Sequence, residues 1–284
     1  MNTIKTVMLM ALLGAIMVAI GGGVAGKTGA TIMLAIAIGM NFFSYWFSDT
    51  MVLKCYNARP VTRADSAELY DMVESLADKA DLPMPKLYVI DSGEPNAFAT
   101  GRDPDHAAVA VTTGIMRVLN YNELSGVIAH ELSHVKHRDI LISSVAATFA
   151  TVISYVAQMA QFAAIFGTRS EEEDSNPIGS LLTIIIAPIA ASIIQMAISR
   201  AREYDADKSG GEICGNPNYL ADALQKIEYY ALNMPPMAMA TPATSHLFIV
   251  NPFSGVASTV ANLFSTHPKT EDRIARLRAQ AQGR

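Results

Sequence analysis

Four stretches without a single charged side chain constrain this chain more than any other feature. They run Thr6–Gly26, Thr28–Ser48, Ile140–Thr168 and Ser175–Ser199. Each is long enough for a helix that crosses ~30 Å of hydrocarbon, which takes ~20 residues. The second ends in Phe42, Phe43, Tyr45, Trp46 and Phe47, an aromatic cluster suited to the headgroup level. Gln158, Gln161, Gln195 and Pro188 make the later pair less lipid-like, as expected of helices facing a bundle interior or a groove. The whole chain is 51% hydrophobic and 17% charged, too apolar and too weakly charged for disorder. The expectation is an α+β membrane protein, mainly helical, with four transmembrane helices and a small β-sheet.

Charge sets the orientation. Lys5, Lys54, Arg59, Arg63, Lys136, Arg138, Arg200 and Arg202 flank the spans on one side. The other side holds only Lys27 and Arg169, and an acidic run, Glu171–Asp174, follows Arg169. Positive flanks stay in the cytoplasm, so both termini and both polar segments are placed there, in a plasma (inner) membrane. A net charge of −5 gives no electrostatic reason to expect nucleic acid. Two cysteines, Cys55 and Cys214, read as unpaired thiols rather than a disulfide framework. Four parts follow: a transmembrane hairpin (1–50), a first polar part (51–139), a second hairpin (140–199) and a second polar part (200–284).

Within the first polar part, Leu69, Met72, Val73 and Leu76 recur at helical spacing over Arg63–Ala80. Lys86–Asp91 and Ala107–Thr113 read as strands, with Asn96–Asp105 turning between them. Asn120 with Glu123 forms a capping-box signature for a helix from Tyr121 to about Arg138. In the second part a helix is expected around Tyr219–Leu232 and another from near Pro268, joined by a Met-, Pro- and Ala-rich loop over Asn233–Ser265.

The chemistry sits in that capped helix. His130-Glu131-Leu132-Ser133-His134 is an H-E-x-x-H motif. Histidines at i and i+4 share one helical face and reach one zinc ion, while Glu131 is placed to take the proton of a water in the open coordination position as it attacks an amide carbonyl. A catalytic zinc needs a third protein ligand. His137 lies ~10 Å along the axis from His130 and is too far. The RAREYDAD run at 200–207 returns to the same face after the fourth span. Glu203 and Asp207 are four apart on one helical face, and Asp205 points elsewhere. Glu completes the usual His₂Glu set, so Glu203 is the expected ligand and Asp207 the carboxylate that orients a ligand histidine.

HELSHVKHRD at 130–139, SRAREYDAD at 199–207, PNAFATG at 95–101 and HPKTEDRI at 267–274 together resemble the HtpX family, membrane zinc endopeptidases related to the CAAX prenyl proteases. The resemblance covers nearly the whole chain. It implies His130, His134 and Glu203 as ligands of one Zn²⁺ per chain and Glu131 as the catalytic base. It further implies ATP-independent, stress-linked proteolysis of misfolded or surplus membrane proteins at the cytoplasmic face. By the same resemblance Asn96, Ala97 and Phe98 belong to an edge strand that takes an extended substrate, and His267, with Arg273, approaches the site to stabilise the oxyanion. Two alternatives stand beside this reading. A non-catalytic zinc scaffold would use four protein ligands and no adjacent Glu. A prenyl-protein processing protease would call for more spans enclosing a chamber.

Overall fold

The computed structural model describes residues 2–145, 200–233, 247–250 and 268–283. The chain begins with helix α1 (Asn2–Cys55), 54 residues long. Straight, it would extend ~80 Å. Instead the side-chain amide of Asn41 donates to the carbonyl of Met10 at 3.3 Å, so the two halves lie against each other. The reversal occurs at Gly26, whose φ of +59° is left-handed and strains any residue with a Cβ. Gly26–Phe47 is the one segment among the described residues long and apolar enough to cross a bilayer, with a mean hydropathy of 1.5. The first expected span is represented by the shorter apolar stretch Thr6–Ala19. Gly21, Gly22, Gly23 and Gly26 follow it and contribute little apolar surface. The third and fourth expected spans lie outside the described residues, apart from 140–145. That start is helical, and Leu141, Ile142 and Val145 pack on Leu9 and Leu13 of α1.

A mixed four-stranded sheet follows, in the order β1-β2-β4-β3. Its strands are β1 (Arg59–Pro60), β2 (Lys86–Ile90), β3 (Ala97–Gly101) and β4 (Ala107–Thr112). β2 and β4 run parallel; β1 and β3 are antiparallel to their neighbours. The alternation of a strand sends Val109 and Val111 to the main core beneath the helices. It sends Ala108 and Ala110 to a second cluster with Val52, Leu53, Tyr56 and Phe98, which seats the sheet on the end of α1.

β3 occupies part of the stretch Asn96–Asp105 that local sequence marks as a turn. The turn begins only at Gly101, with φ +137°, and continues to Asp103, which caps the short helical turn Pro104–His106. Before it, in-register pairing of Ala97 with Val111 and Gly101 with Ala107 keeps the chain extended. A buried partner strand overrides the weak β-propensity of an Ala- and Gly-containing segment.

The remaining elements are helical: α2 (Ala67–Lys79), α3 (Thr113–Val118), α4 (Tyr121–Lys136), α5 (Arg200–Cys214), α6 (Pro217–Asn233) and α7 (Thr270–Ala281). The helices lie within a residue to a few of their expected positions, and α3 is the addition. α4 starts on the anticipated capping box: Asn120 accepts from the Glu123 amide at 3.0 Å, and Glu123 accepts from the Asn120 amide at 2.9 Å. Val127, Ile128 and Leu132 are fully buried, which makes α4 the centre of the core.

Among the described elements, α4 and α5 share the most extensive contact, so the two polar halves form one packed unit. The approach is close because position 210 has no side chain. A Cβ there would fall 2.9 Å from both the amide nitrogen and the Cα of His130. Gly126 plays the same part between α4 and α6, facing the backbone of Tyr219 and Leu220. Gly210→Ala is therefore expected to cost about 1–3 kcal/mol in stability. It is also expected to weaken metal retention, because it pushes α5 off α4 where both carry site residues. Gly126→Ala lowers thermal stability and leaves metal retention by the folded fraction intact. Wild-type retention in Gly210→Ala, measured by chelator competition, would contradict this account of the α4–α5 contact.

Candidate active site

The site begins with helix geometry. His130 and His134 stand one turn apart on the α4 face that meets α5, and their rings lie edge to face with centroids 4.8 Å apart. Glu203 and Asp207, one turn apart on α5, face them. Asp205 is exposed, as its position on the helix predicts, and His137 is exposed at the end of α4.

His130, His134 and Glu203 each offer a ligand atom, all within 4.8 Å of one another. The separations are informative. His130 Nε2 and His134 Nε2 are 3.3 Å apart, and Glu203 oxygens lie 3.6 Å from His134 Nε2 and 3.8 Å from His130 Nε2. Ligands at ~2.1 Å around a tetrahedral zinc would stand ~3.4 Å from one another. The three groups therefore fit three corners of a tetrahedral site, and among the described residues no further His, Cys, Asp or Glu joins them. No cysteine belongs to the group; Cys55 and Cys214 are both free thiols.

The far sides of both rings meet carboxylates. His130 Nδ1 is 3.0 Å from Asp207 Oδ1, off the line of the ring N–H, so the contact is electrostatic rather than an aligned hydrogen bond. Asp207 is itself gripped by Arg273, whose Nε and Nη2 donate at 2.9 and 2.7 Å. Burial opposes charge on Asp207, but Arg273 outweighs it and holds the carboxyl down at about 2. His134 Nδ1 lies 3.4 Å from Asp139 Oδ2, and Arg202 Nε approaches the other Asp139 oxygen at 3.8 Å.

Glu131 lines the same cleft. The backbone N–H of Ala99 donates to its Oε2 at 2.8 Å, which ties the carboxylate to the edge strand β3. The cleft is walled by Phe98 and Ala99 from β3, by Asp139, Ile140 and Ser143 after α4, by Arg202 of α5, and by Leu247–Ile249. His130, Glu131, His134 and Glu203 complete its lining.

The structure thus brings together His130, Glu131, His134, Glu203 and Asp207, and sets Phe98 in the wall. Asn96 and Ala97 are not part of the lining. The Asn96 amide donates to Leu247 O at 3.0 Å and accepts from Ile249 N at 3.3 Å, so it anchors the Leu247–Ile249 part of the lining. Arg273 is 1% exposed, engaged by Asp207 and by Ile249 O at 2.8 Å. It is not among the residues that line the cleft, but its Nη2 approaches His130 Nε2 at 3.5 Å. His267 lies outside the described residues. Sequence reasoning missed Asp139 and Arg202. Their closeness to HExxH and to Glu203 in the chain was the available signal, but nothing local shows that the chain folds back at residue 138.

Residues 63–281 match the profile of peptidase family M48. Over 283 residues the chain is 55% identical to a Protease HtpX homolog of Paraburkholderia phytofirmans, a match that covers 99% of this chain and 98% of the other. A protein of the same name from Burkholderia mallei matches at the same identity and coverage. The crystal structure of S. mikatae Ste24p superimposes with a TM-score of 0.53 at 19% identity, over 97% of this chain and 65% of that one. At that identity the likeness is one of fold.

For protein stripped of metal, the charges around His134 set a dependence on pH. Burial alone would lower the pKa of His134, but Asp139, Glu203 and Glu131 raise it to about 9. The unfolded value is ~6.5, so the stabilisation from this proton is complete below ~6.5 and is lost as pH rises towards 9. The melting temperature of the metal-free protein is expected to fall across that window, and His134→Gln is expected to flatten the profile. A flat wild-type profile from pH 6.5 to 9 would contradict the charged state assigned to His134.

Proposed function

This chain belongs to peptidase family M48, among its HtpX proteases, and from that premise we propose an integral-membrane zinc endopeptidase that cleaves misfolded or surplus membrane proteins at the cytoplasmic face. The observation that carries the reading is Glu131, a carboxylate fixed by a backbone N–H beside a His, His, Glu group with tetrahedral spacing. A purely structural zinc site would need a fourth protein ligand and no such neighbour.

In this reading His130, His134 and Glu203 hold the zinc. When bound, zinc acidifies a water and polarises a carbonyl, several kcal/mol of charge stabilisation. The remaining work falls to the protein. Glu131, with Oε2 held by Ala99, accepts the proton from the attacking water and passes it to the departing amine. β3 is the edge of the sheet, so an extended polypeptide docks along it by backbone hydrogen bonds, with Phe98 as an apolar wall. His267, at the head of HPKTEDRI, supplies the donor to the developing oxyanion.

The membrane placement rests on Gly26–Phe47 and on the uncharged stretches. The cytoplasmic side rests on the lysines and arginines that flank them. The relatives named Protease HtpX homolog, matched over 98% of their own length, support the same activity.

Glu131→Gln is the direct test. Zinc content, measured in detergent after chelation and restoration, should stay near one per chain, while casein cleavage should fall by ~10²–10⁴. Cleavage at the wild-type rate would remove Glu131 as the base. Zinc in both proteins with cleavage in neither would favour a scaffold.

A further inference from the structure

Each of the two histidines faces the ligand group with Nε2 and a buried carboxylate with Nδ1, and the second carboxylate arrives by an unusual route. α4 ends in a six-residue capping turn. The amide of Arg138 donates to Val135 O at 3.0 Å, and the amide of Asp139 donates to His134 O at 2.9 Å. Such a turn needs a left-handed residue, normally Gly. Here the position is Arg138, with φ +59°. The chain therefore tolerates a strained residue there, at a cost of ~1 kcal/mol or more.

The turn returns Asp139 to the very residue that its own amide caps. Its carboxylate is buried, 4% exposed, and it lines the cleft. One oxygen reaches His134 Nδ1 at 3.4 Å, and the other faces Arg202 Nε at 3.8 Å. Arg202 immediately precedes Glu203 on α5. Asp139 thus touches the helix of the histidines and the helix of the glutamate at once. Asp207 with Arg273 does the same behind His130.

We propose that Asp139 is a positioning residue for the metal site. It fixes the Nδ1–H tautomer and the ring plane of His134, so that the Nε2 lone pair points at the ligand group, and Arg202 holds the carboxylate in place. The inference rests on the zinc reading above. A carboxylate on the outer nitrogen of a ligand histidine commonly changes metal affinity by 10- to 100-fold.

Asp139 also sits at the start of the helix over 140–145, where its carbonyl accepts from the amide of Ser143 at 3.2 Å. A cap alone is the competing role, and the substitutions separate the two. Serine caps a helix as well as Asp does but is too short to reach His134; Asn caps and still presents an oxygen to Nδ1–H. The full-length protein in detergent is titrated with zinc against a fluorescent chelator, and the melting temperature of each metal-free variant is measured. Asp139→Ser and Asp139→Asn both keep the cap and lose the charge, so the two metal-free variants are expected to melt alike, while Asp139→Ser binds zinc about 10- to 100-fold more weakly than the wild type and Asp139→Asn recovers most of that loss. Wild-type zinc affinity in Asp139→Ser would overturn the proposal and leave only the cap. If the wild type itself takes up no zinc, the zinc reading fails, and this inference fails with it.

Discussion

The buried ion pair between Asp207 and Arg273 ties the molecule together at its functional end. Arg273 comes from the last helix and Asp207 from α5, and neither side chain is more than 3% exposed. Removing one partner of such a pair strands a charge and costs roughly 3–5 kcal/mol, whereas the intact pair adds little net stability. Its value here is positional. The same guanidinium fastens Ile249, which walls the cleft, and the same carboxylate stands against His130. One interaction therefore links the C-terminal helix, the far wall, α5 and the first histidine. That linkage joins parts of the candidate site drawn from both sides of the segment 140–199.

A second constraint complements it. Gly210 lets α5 touch the backbone of His130, so the distance from Glu203 to the two histidines is set by helix contact rather than by the flexibility of a long side chain. Glu131 is held separately, through Ala99 of the edge strand. The geometry thus fixes the candidate ligand group from the helices and the proposed base from the sheet. The strand that would receive a peptide also orients the group that would move the proton.

Much of this is legible in the sequence, because it depends on short-range spacing. The HExxH interval, the Asn120–Glu123 capping box and the four-residue step from Glu203 to Asp207 each follow from 3.6 residues per turn. What local sequence does not show depends on partners far along the chain. β3 is extended because β4 pairs with it, although its residues look like a turn. Asn96 is fastened to residues some 150 positions away, and Arg273 to Asp207 across 66. Arg138 takes a left-handed conformation that a glycine would have announced, so the return of Asp139 to His134 passes unannounced.

The central claim is that two imidazoles and one carboxylate form a single open zinc site. Zinc K-edge X-ray absorption on the metal-restored, full-length protein tests it most directly. The account predicts one tightly held zinc with two imidazole nitrogens and oxygen ligands at ~2.0–2.2 Å. It also predicts the loss of one imidazole shell in His134→Ala. Sulfur in the first shell, a site with oxygen ligands only, or an unchanged spectrum in His134→Ala would contradict it.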